Sequence, residues 1–370
     1  MNPRAPFDLD VLVVGGGPAG AACAIRLAQG GARVAVVEAS DFSHFRVGET
    51  LDPSLGPLLL RLGVKIEQQQ WSAPCSGVAA AWGQPKAAQR PSMLNPYGRG
   101  WRVDRTTFDR TLFEQARSAG AVASLGCRFV SAQRQAGAWT FELETATRRP
   151  TGRARWIVAA TGRAARTPLA PGRRRQWIDR LIGLAVRDDD AEPARTPEAA
   201  LVEATPQGWW YSVCVPDGAR VAMFFTDSDL LPRGKRDRAA FLLDALDHAP
   251  LTRSACAFAA AAIAQHRWTG FDARSSLQRF AMSDGWVAVG DALMAFDPLC
   301  GRGIGEAIGS AVAAGDWLLT AGAGDGDAEA VPAWVIDAAD RFNRYRGERL
   351  ATYGQETRWP AAPFWQRRCG

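Results

Sequence analysis

Gly15, Gly17 and Gly20 stand in G-x-G-x-x-G spacing in the run "VVGGGPAGAACAIRLAQGG", with Glu38 further along the chain. That set is suited to holding a dinucleotide. Gly15 makes a tight turn, Gly17 lets backbone approach a pyrophosphate, and Gly20 allows close helix–strand packing. Pro18 and Ala19 complete the turn, and the Glu38 carboxylate suits ribose hydroxyls. A second group lies near the other end. Gly290-Asp291 closes "GWVAVGD", and Pro298, Gly301, Gly303 and Ile304 belong to "DPLCGRGIGEAI", a glycine-rich turn opening a helix. Groups able to handle protons beside a bound ligand are His44 and Glu49, in "HFRVGET", and Cys300. Metal chemistry is not indicated. The three histidines (44, 248 and 266) are far apart, and the seven cysteines contain no C-x-x-C pair.

Phosphate chemistry needs these residues on particular elements. Asp10–Val14 predicts a short buried strand, "AACAIRLAQGG" a helix, and "RVAVVE" a second strand ending at Glu38. The helix start offers free N–H groups and a positive dipole end to phosphate. "WIVAATGR" predicts another strand, ending at Thr161 and Gly162. Asp104 is placed to cap a helix that begins at Arg105. These elements imply an α/β fold with a Rossmann-like domain. Because its motifs sit towards both ends of the chain, that domain is discontinuous, at 1–68, 98–175 and 268–330. The pieces 69–97 and 176–267 carry the strand-like runs "RLIGLAVRD", "EAALVEAT", "GWWYSVCV" and "ARVAMFFT", with "PDG" as a hairpin turn. They predict an inserted antiparallel-sheet substrate domain, covered by a helix at "KRDRAAFLLDALDHAPL". Residues 331–370 predict a C-terminal helix and an aromatic tail.

On a strand, side chains alternate between faces. Trp209, Tyr211 and Val213 would share an apolar face suited to a core. Trp210, Ser212 and Cys214 would share the other, so Trp210 is expected to face substrate. Composition adds limits. A chain of 370 residues with 47% apolar and 22% charged residues is globular. The net charge of +6 comes almost wholly from arginine, a bias that genome composition also produces, and no nucleic-acid partner is expected. No run is long and apolar enough for a membrane span, and no secretory signal opens the chain, so a soluble, cytoplasmic protein is expected.

The glycine fingerprint serves FAD and NAD alike. Two segments decide between them. "FRVGETLDP" resembles the R-x-x-G-E-T-x-x-P segment of flavin-dependent halogenases and related monooxygenases. Gly285–Ala311 resembles the G-D segment of the aromatic-hydroxylase flavoproteins. The resemblance implies FAD, with Arg46, Arg105, Thr161, Gly162 and Asp291 among its contacts and the helix after Gly303 aimed at the flavin ring. No second G-x-G-x-x-G follows, so electrons are expected from transiently bound NAD(P)H or from a separate flavin reductase.

"VGETLDP", "NPYGRGWRVDRTTFD", "GWWYSV", "GDALMAFDPLCGRGI" and "RWPAAPFWQRR" further resemble the flavoproteins that mature cysteine tryptophylquinone enzymes. That resemblance implies a monooxygenase acting through a flavin C4a-hydroperoxide on an electron-rich ring, the substrate being a tryptophan within a partner protein. His44, Glu49, Trp210 and Cys300 are the catalytic candidates. Halogenation is the main alternative, beside small-molecule aromatic hydroxylation and a non-catalytic flavoprotein. Halogenases carry W-x-W-x-I-P and a hypohalite-relaying lysine. Here the segment after Gly208 gives Trp209-x-Tyr211-x-Val213-Cys214, and Lys86 is the nearest lysine.

Overall fold

In the computed structural model, described for residues 8–67, 69–91, 96–164, 175–189, 198–283, 285–322 and 332–369, two large sheets share the chain. Most of the glycine-rich stretch that precedes the tail lies outside the described residues. The strand Asp8–Val14 is buried along most of its length, as a continuous apolar run covered on both faces must be. It pairs in parallel with Thr151–Ala159 on one side and with Val34–Val37 on the other. Trp286–Ala288 extends the sheet beyond Thr151–Ala159, and Val122–Ser124 beyond Val34–Val37. Helices Pro18–Gln29, Arg105–Ser118 and Gly303–Gly322 pack together against this sheet. Their core joins Val11, Val13, Ile25, Phe108 and Phe113 to Ile308. The first and last thirds of the sequence are therefore neighbours in space, which brings both glycine-rich turns to one end of the sheet.

The inserted sheet has seven strands, in the order Thr269–Asp272, Leu181–Asp188, Arg220–Asp227, Gly208–Cys214, Ala200–Thr205, Gly77–Ala81 and Ala88–Pro91. Its pairings are antiparallel except between Ala200–Thr205 and Gly77–Ala81. Strand pairing sets its limits. The sheet begins at Gly77, because Ser72–Cys75 instead pairs with Gly100–Val103 in a small sheet with Thr50–Leu51. It ends at Asp272, five residues beyond the limit of 267 read from the sequence.

Both faces of the inserted sheet are covered. Helices Lys235–Asp247 and Phe258–Ala264 bury Leu184, Trp210 and Phe224 on one face. On the other, helices Ala338–Tyr353 and Pro363–Cys369 bring Tyr353, Phe364 and Trp365 against Trp209, Met223 and Phe225. The buried Arg368 guanidinium meets Asp227 at 2.6 Å and stacks on the Phe364 ring at 3.7 Å, which pins the tail to the sheet. Among the described residues, no helix is long and apolar enough to cross a membrane.

Candidate functional site

A cavity of about 570 Å³ runs from the first glycine turn to the inserted sheet. At one end lie Gly17, Pro18 and Ala19. Gly15 has φ +104°, and a Cβ on Gly20 would come within 1.7 Å of the Gly15 carbonyl oxygen, so helix and turn meet too closely for any side chain there. Among the described residues, a Cβ on Gly17 would meet nothing within 4 Å. Its bareness leaves open space beside the start of the Pro18–Gln29 helix, where no side chain caps the first N–H groups. That arrangement suits a phosphate.

Glu38 directly follows the strand Val34–Val37 and accepts hydrogen bonds from Gly16 N at 2.7 Å and Ser40 Oγ at 2.7 Å. Arg46 and Arg105 converge on the fully buried Asp109. Arg46 Nη1 lies 3.1 Å from Asp109 Oδ2, while Arg105 Nε and Nη2 bond its two oxygens at 3.1 Å each. Arg105 Nη1 also donates to the Val47 carbonyl. The pair thus braces the Phe45–Gly48 segment along the cavity wall. Asp104 caps the helix carrying Arg105, accepting from Thr107 N at 2.8 Å.

The second glycine turn closes the same cavity from the far side. Asp291, Pro298, Gly301, Gly303 and Ile304 all line it, and Asp291 Oδ2 sits 3.2 Å from Arg163 Nε. Gly162 lines it too, and the neighbouring Thr161 keeps a buried Oγ1 without a partner among the described residues. The Gly303–Gly322 helix starts at this wall.

Glu49 is the most unusual group here. It is 1% exposed, Gly48 N donates to its Oε2 at 3.1 Å, and its Oε1 has no partner among the described residues. Burial pushes its carboxyl up to about 7, against the opposing pull of Arg105 and Arg187. A buried, unpartnered carboxyl oxygen beside an open cavity is poised for a donor that the cavity receives.

The other catalytic candidates fall elsewhere. His44 is exposed on its loop with Nδ1 3.2 Å from Ser43 Oγ, and it does not line the cavity. Trp210 points away. Its Nε1 donates to the Ala245 carbonyl at 3.1 Å, and its ring packs on Phe224 beneath the helices. The expectation for Trp210 fails because its face, which also carries Ser212 and Cys214, is the one that the 235–264 helices cover, so the mixed polarity marked the helical face and not the cavity face. Trp209 and Tyr211 hold the cavity face instead. Cys300 lines a second cavity, and desolvation pushes its thiol up to about 11, leaving it protonated near neutral pH.

This second cavity, of about 600 Å³, adjoins the first, with Thr50 and Gly301 lining both. Its apolar lining includes Leu51, Pro53, Val78, Ala80, Trp82 and Val202. Sequence reasoning missed Arg163, Tyr211, Phe225, Phe271 and Asp297 of the first cavity. Two of these carried a signal, because Arg163 directly follows Thr161-Gly162 and Asp297 directly precedes Pro298. Asp297 Oδ2 accepts from Tyr353 Oη at 2.9 Å, and Trp209 Nε1 donates to that same Tyr353 oxygen at 3.0 Å. The tail therefore supports the cavity wall.

Known proteins resemble this chain along its length. The chain is 27% identical over 368 residues to the FAD-dependent oxidoreductase LodB of Marinomonas mediterranea, across 97% of this chain and 96% of that protein. Among solved structures, the peptidyl tryptophan dihydroxylase QhpG, described as essential for tryptophylquinone cofactor biogenesis, matches with a TM-score of 0.78 and 27% identity. The match covers 98% of this chain and 79% of that one. The myxobacterial chondrochloren halogenase CndH, at 21% identity, matches with a TM-score of 0.80 over 99% of this chain and 86% of its own, a likeness of fold. Residues 8–344 match the FAD binding domain family, so the chain belongs to that family and FAD is its cofactor.

Proposed function

We propose that this protein is an FAD-dependent monooxygenase that hydroxylates a tryptophan side chain within a partner protein. The carrying observation is the meeting of the flavin cavity with a separate, apolar-lined cavity at Thr50 and Gly301. A ring entering through the second cavity would meet the first at that junction. The full-length likeness to LodB and to the peptidyl tryptophan dihydroxylase QhpG supports the choice of substrate.

FAD, when bound and reduced, supplies the two electrons that activate molecular oxygen. The protein's part is placement, exclusion of water and proton handling. Gly17–Ala19, Arg46, Arg105 and Asp291 hold the cofactor, and Tyr211, Phe225 and Phe271 dry the end nearest the inserted sheet. As oxygen bonds to a ring carbon, that carbon loses its hydrogen, and Glu49 Oε1 accepts the proton; the second oxygen atom leaves as water. Electrons come from transiently bound NAD(P)H or through a separate flavin reductase, in keeping with a single glycine fingerprint.

Halogenation is disfavoured by the site as well as by the altered W-x-W-x-I-P segment. Lys86 is exposed and lines neither cavity. The test is co-expression with a protein encoded beside it, followed by intact mass analysis. Oxygen added to one tryptophan, only when the flavoprotein is present, is the expected result. Halogen incorporation, or turnover of free aromatics with no mass change in the partner, would overturn the proposal.

A further inference from the structure

The second cavity is built on one rung of the inserted sheet. Ala88 pairs with Ala80, Ala80 with Val202, Val202 with Tyr211, and Tyr211 with Met223. Directly opposed residues share a face. Ala88, Ala80 and Val202 line the second cavity, whereas Tyr211 and Met223 line the flavin cavity. The rung therefore changes from small to large side chains at the point where the two cavities meet. Among the described residues, no strand pairs with the outer edge of Ala88–Pro91, and residues 84–89 are exposed. The small-residue rung is thus the floor of a trough, open at the sheet edge and ending at Tyr211 and Thr50.

The walls are fixed. Trp82 Nε1 donates to the Thr352 carbonyl at 2.8 Å, and Gly83 N donates to Glu356 Oε2 at 2.8 Å, so the tail holds one side of the mouth. Leu51 and Pro53 form part of the other side. At the inner end, the buried Glu49 lines the flavin cavity with its unpartnered Oε1.

Length decides what can use such a trough. Ala88 and Tyr211 are three strands apart, about 14 Å at roughly 4.8 Å per strand. A tryptophan side chain reaches only about 7 Å from its own Cα on ordinary bond lengths. A tryptophan fixed on the flat surface of a folded domain, with its backbone held outside the sheet edge, stops halfway.

Resting on the monooxygenase reading above, we infer that the trough over Ala88, Ala80 and Val202 admits the main chain of a flexible or protruding polypeptide segment, whose tryptophan reaches the flavin at Thr50 and Tyr211. The enzyme then acts on a substrate segment that is unfolded or looped out when it is modified, and a compact substrate protein is refused until that segment is released.

The test uses the FAD-loaded enzyme and three probes: a capped flexible peptide with one central tryptophan, a rigid folded domain with one exposed tryptophan on a sheet surface, and free tryptophan. Backbone amide exchange is measured over residues 77–91, together with oxygen incorporation after chemical reduction of the flavin. The peptide is expected to slow exchange in 77–91 and to gain oxygen at least tenfold faster than either other probe. Ala88→Trp at the exposed mouth and Ala80→Trp on the floor should each abolish peptide protection while FAD content stays unchanged. Equal reaction of the rigid domain, protection unaffected by either substitution, or no protection of 77–91 by the peptide overturns the inference. Peptide protection that is lost in Ala88→Trp without oxygen incorporation into any probe supports the trough and instead sinks the monooxygenase reading.

Discussion

The Tyr211 hydroxyl lies 3.4 Å from Thr50 Oγ1, and Thr50 lines both cavities. Tyr211 is thus the side chain that divides the flavin cavity from the trough. At 3.4 Å the hydroxyl contact is weak, so the ring is the more important part of the partition. Tyr211→Phe should change stability by less than about 1 kcal/mol and leave the product formed per oxygen consumed near wild type. Tyr211→Ala should open the partition to water and lower that ratio severalfold, the shortfall appearing as hydrogen peroxide. Equal uncoupling in both variants would assign the effect to the hydroxyl and sink the packing account.

Gly17 and Gly20 separate cofactor binding from folding. A methyl on Gly20 collides with backbone, whereas one on Gly17 meets nothing within 4 Å among the described residues and intrudes only on the proposed phosphate cradle. Gly20→Ala should destabilise the FAD-free protein by about 2 kcal/mol or more. Gly17→Ala should leave its melting temperature unchanged yet weaken FAD binding at least tenfold, as read by flavin fluorescence titration. A Gly17→Ala protein that binds FAD normally removes the cradle from this turn.

Much of this site was legible in the sequence, and the reason is local. Gly17–Ala19, Arg105, Asp291 and Gly301–Ile304 come to one cavity from positions that their own strand–turn–helix context dictates. What could not be read depends on which long-range layer covers which face. Trp209 and Trp210 are equally buried at 1% exposure, and only the placement of the 235–264 helices and the C-terminal tail distinguishes them. The trough was hidden for the same reason, since Ala80, Ala88 and Val202 come together only through strand register. His44 directly precedes Phe45 in sequence, yet its side chain is exposed on the loop and stays outside the cavity that Phe45–Thr50 line, a difference of side-chain direction that spacing alone does not carry.

The two tryptophans give opposite outcomes by experiment. Trp209 stacks on Phe225 at 4.1 Å on the flavin side, whereas Trp210 anchors a helix through the Ala245 carbonyl. Trp210→Ala should cost about 3–5 kcal/mol in denaturant unfolding, as large buried truncations do, and leave the visible spectrum of bound FAD unaltered. Trp209→Phe should keep most of the volume but shift that spectrum and the residual flavin fluorescence. A flavin spectrum that responds to position 210 and not to 209 would reverse the assignment of faces.

Glu49 links the site to pH. Its carboxyl is raised from 4.5 to about 7 by burial, with Arg105 and Arg187 facing it as cations and Tyr211 as a neutral neighbour at neutral pH. A raised acid favours the folded state while protonated. That contribution is fully present below about 4.5, the unfolded value, and is lost as pH climbs towards 7. The loss amounts to about 3 kcal/mol at 1.36 kcal/mol per pKa unit. Glu49→Gln is neutral throughout and should remove this slope, so its stability relative to wild type rises between pH 4.5 and 7 and then levels off. The same substitution takes away the proton acceptor at Oε1. Hydroxylation should fall by about 10²–10⁴-fold, and any rise in wild-type rate through pH 7 should vanish, with FAD affinity retained. Denaturant titrations of the FAD-free proteins across that pH range read the first effect, and single-turnover product yields read the second. A Glu49→Gln enzyme that keeps both the wild-type rate and the wild-type pH profile excludes Glu49 from the chemistry, whatever the stability slope shows.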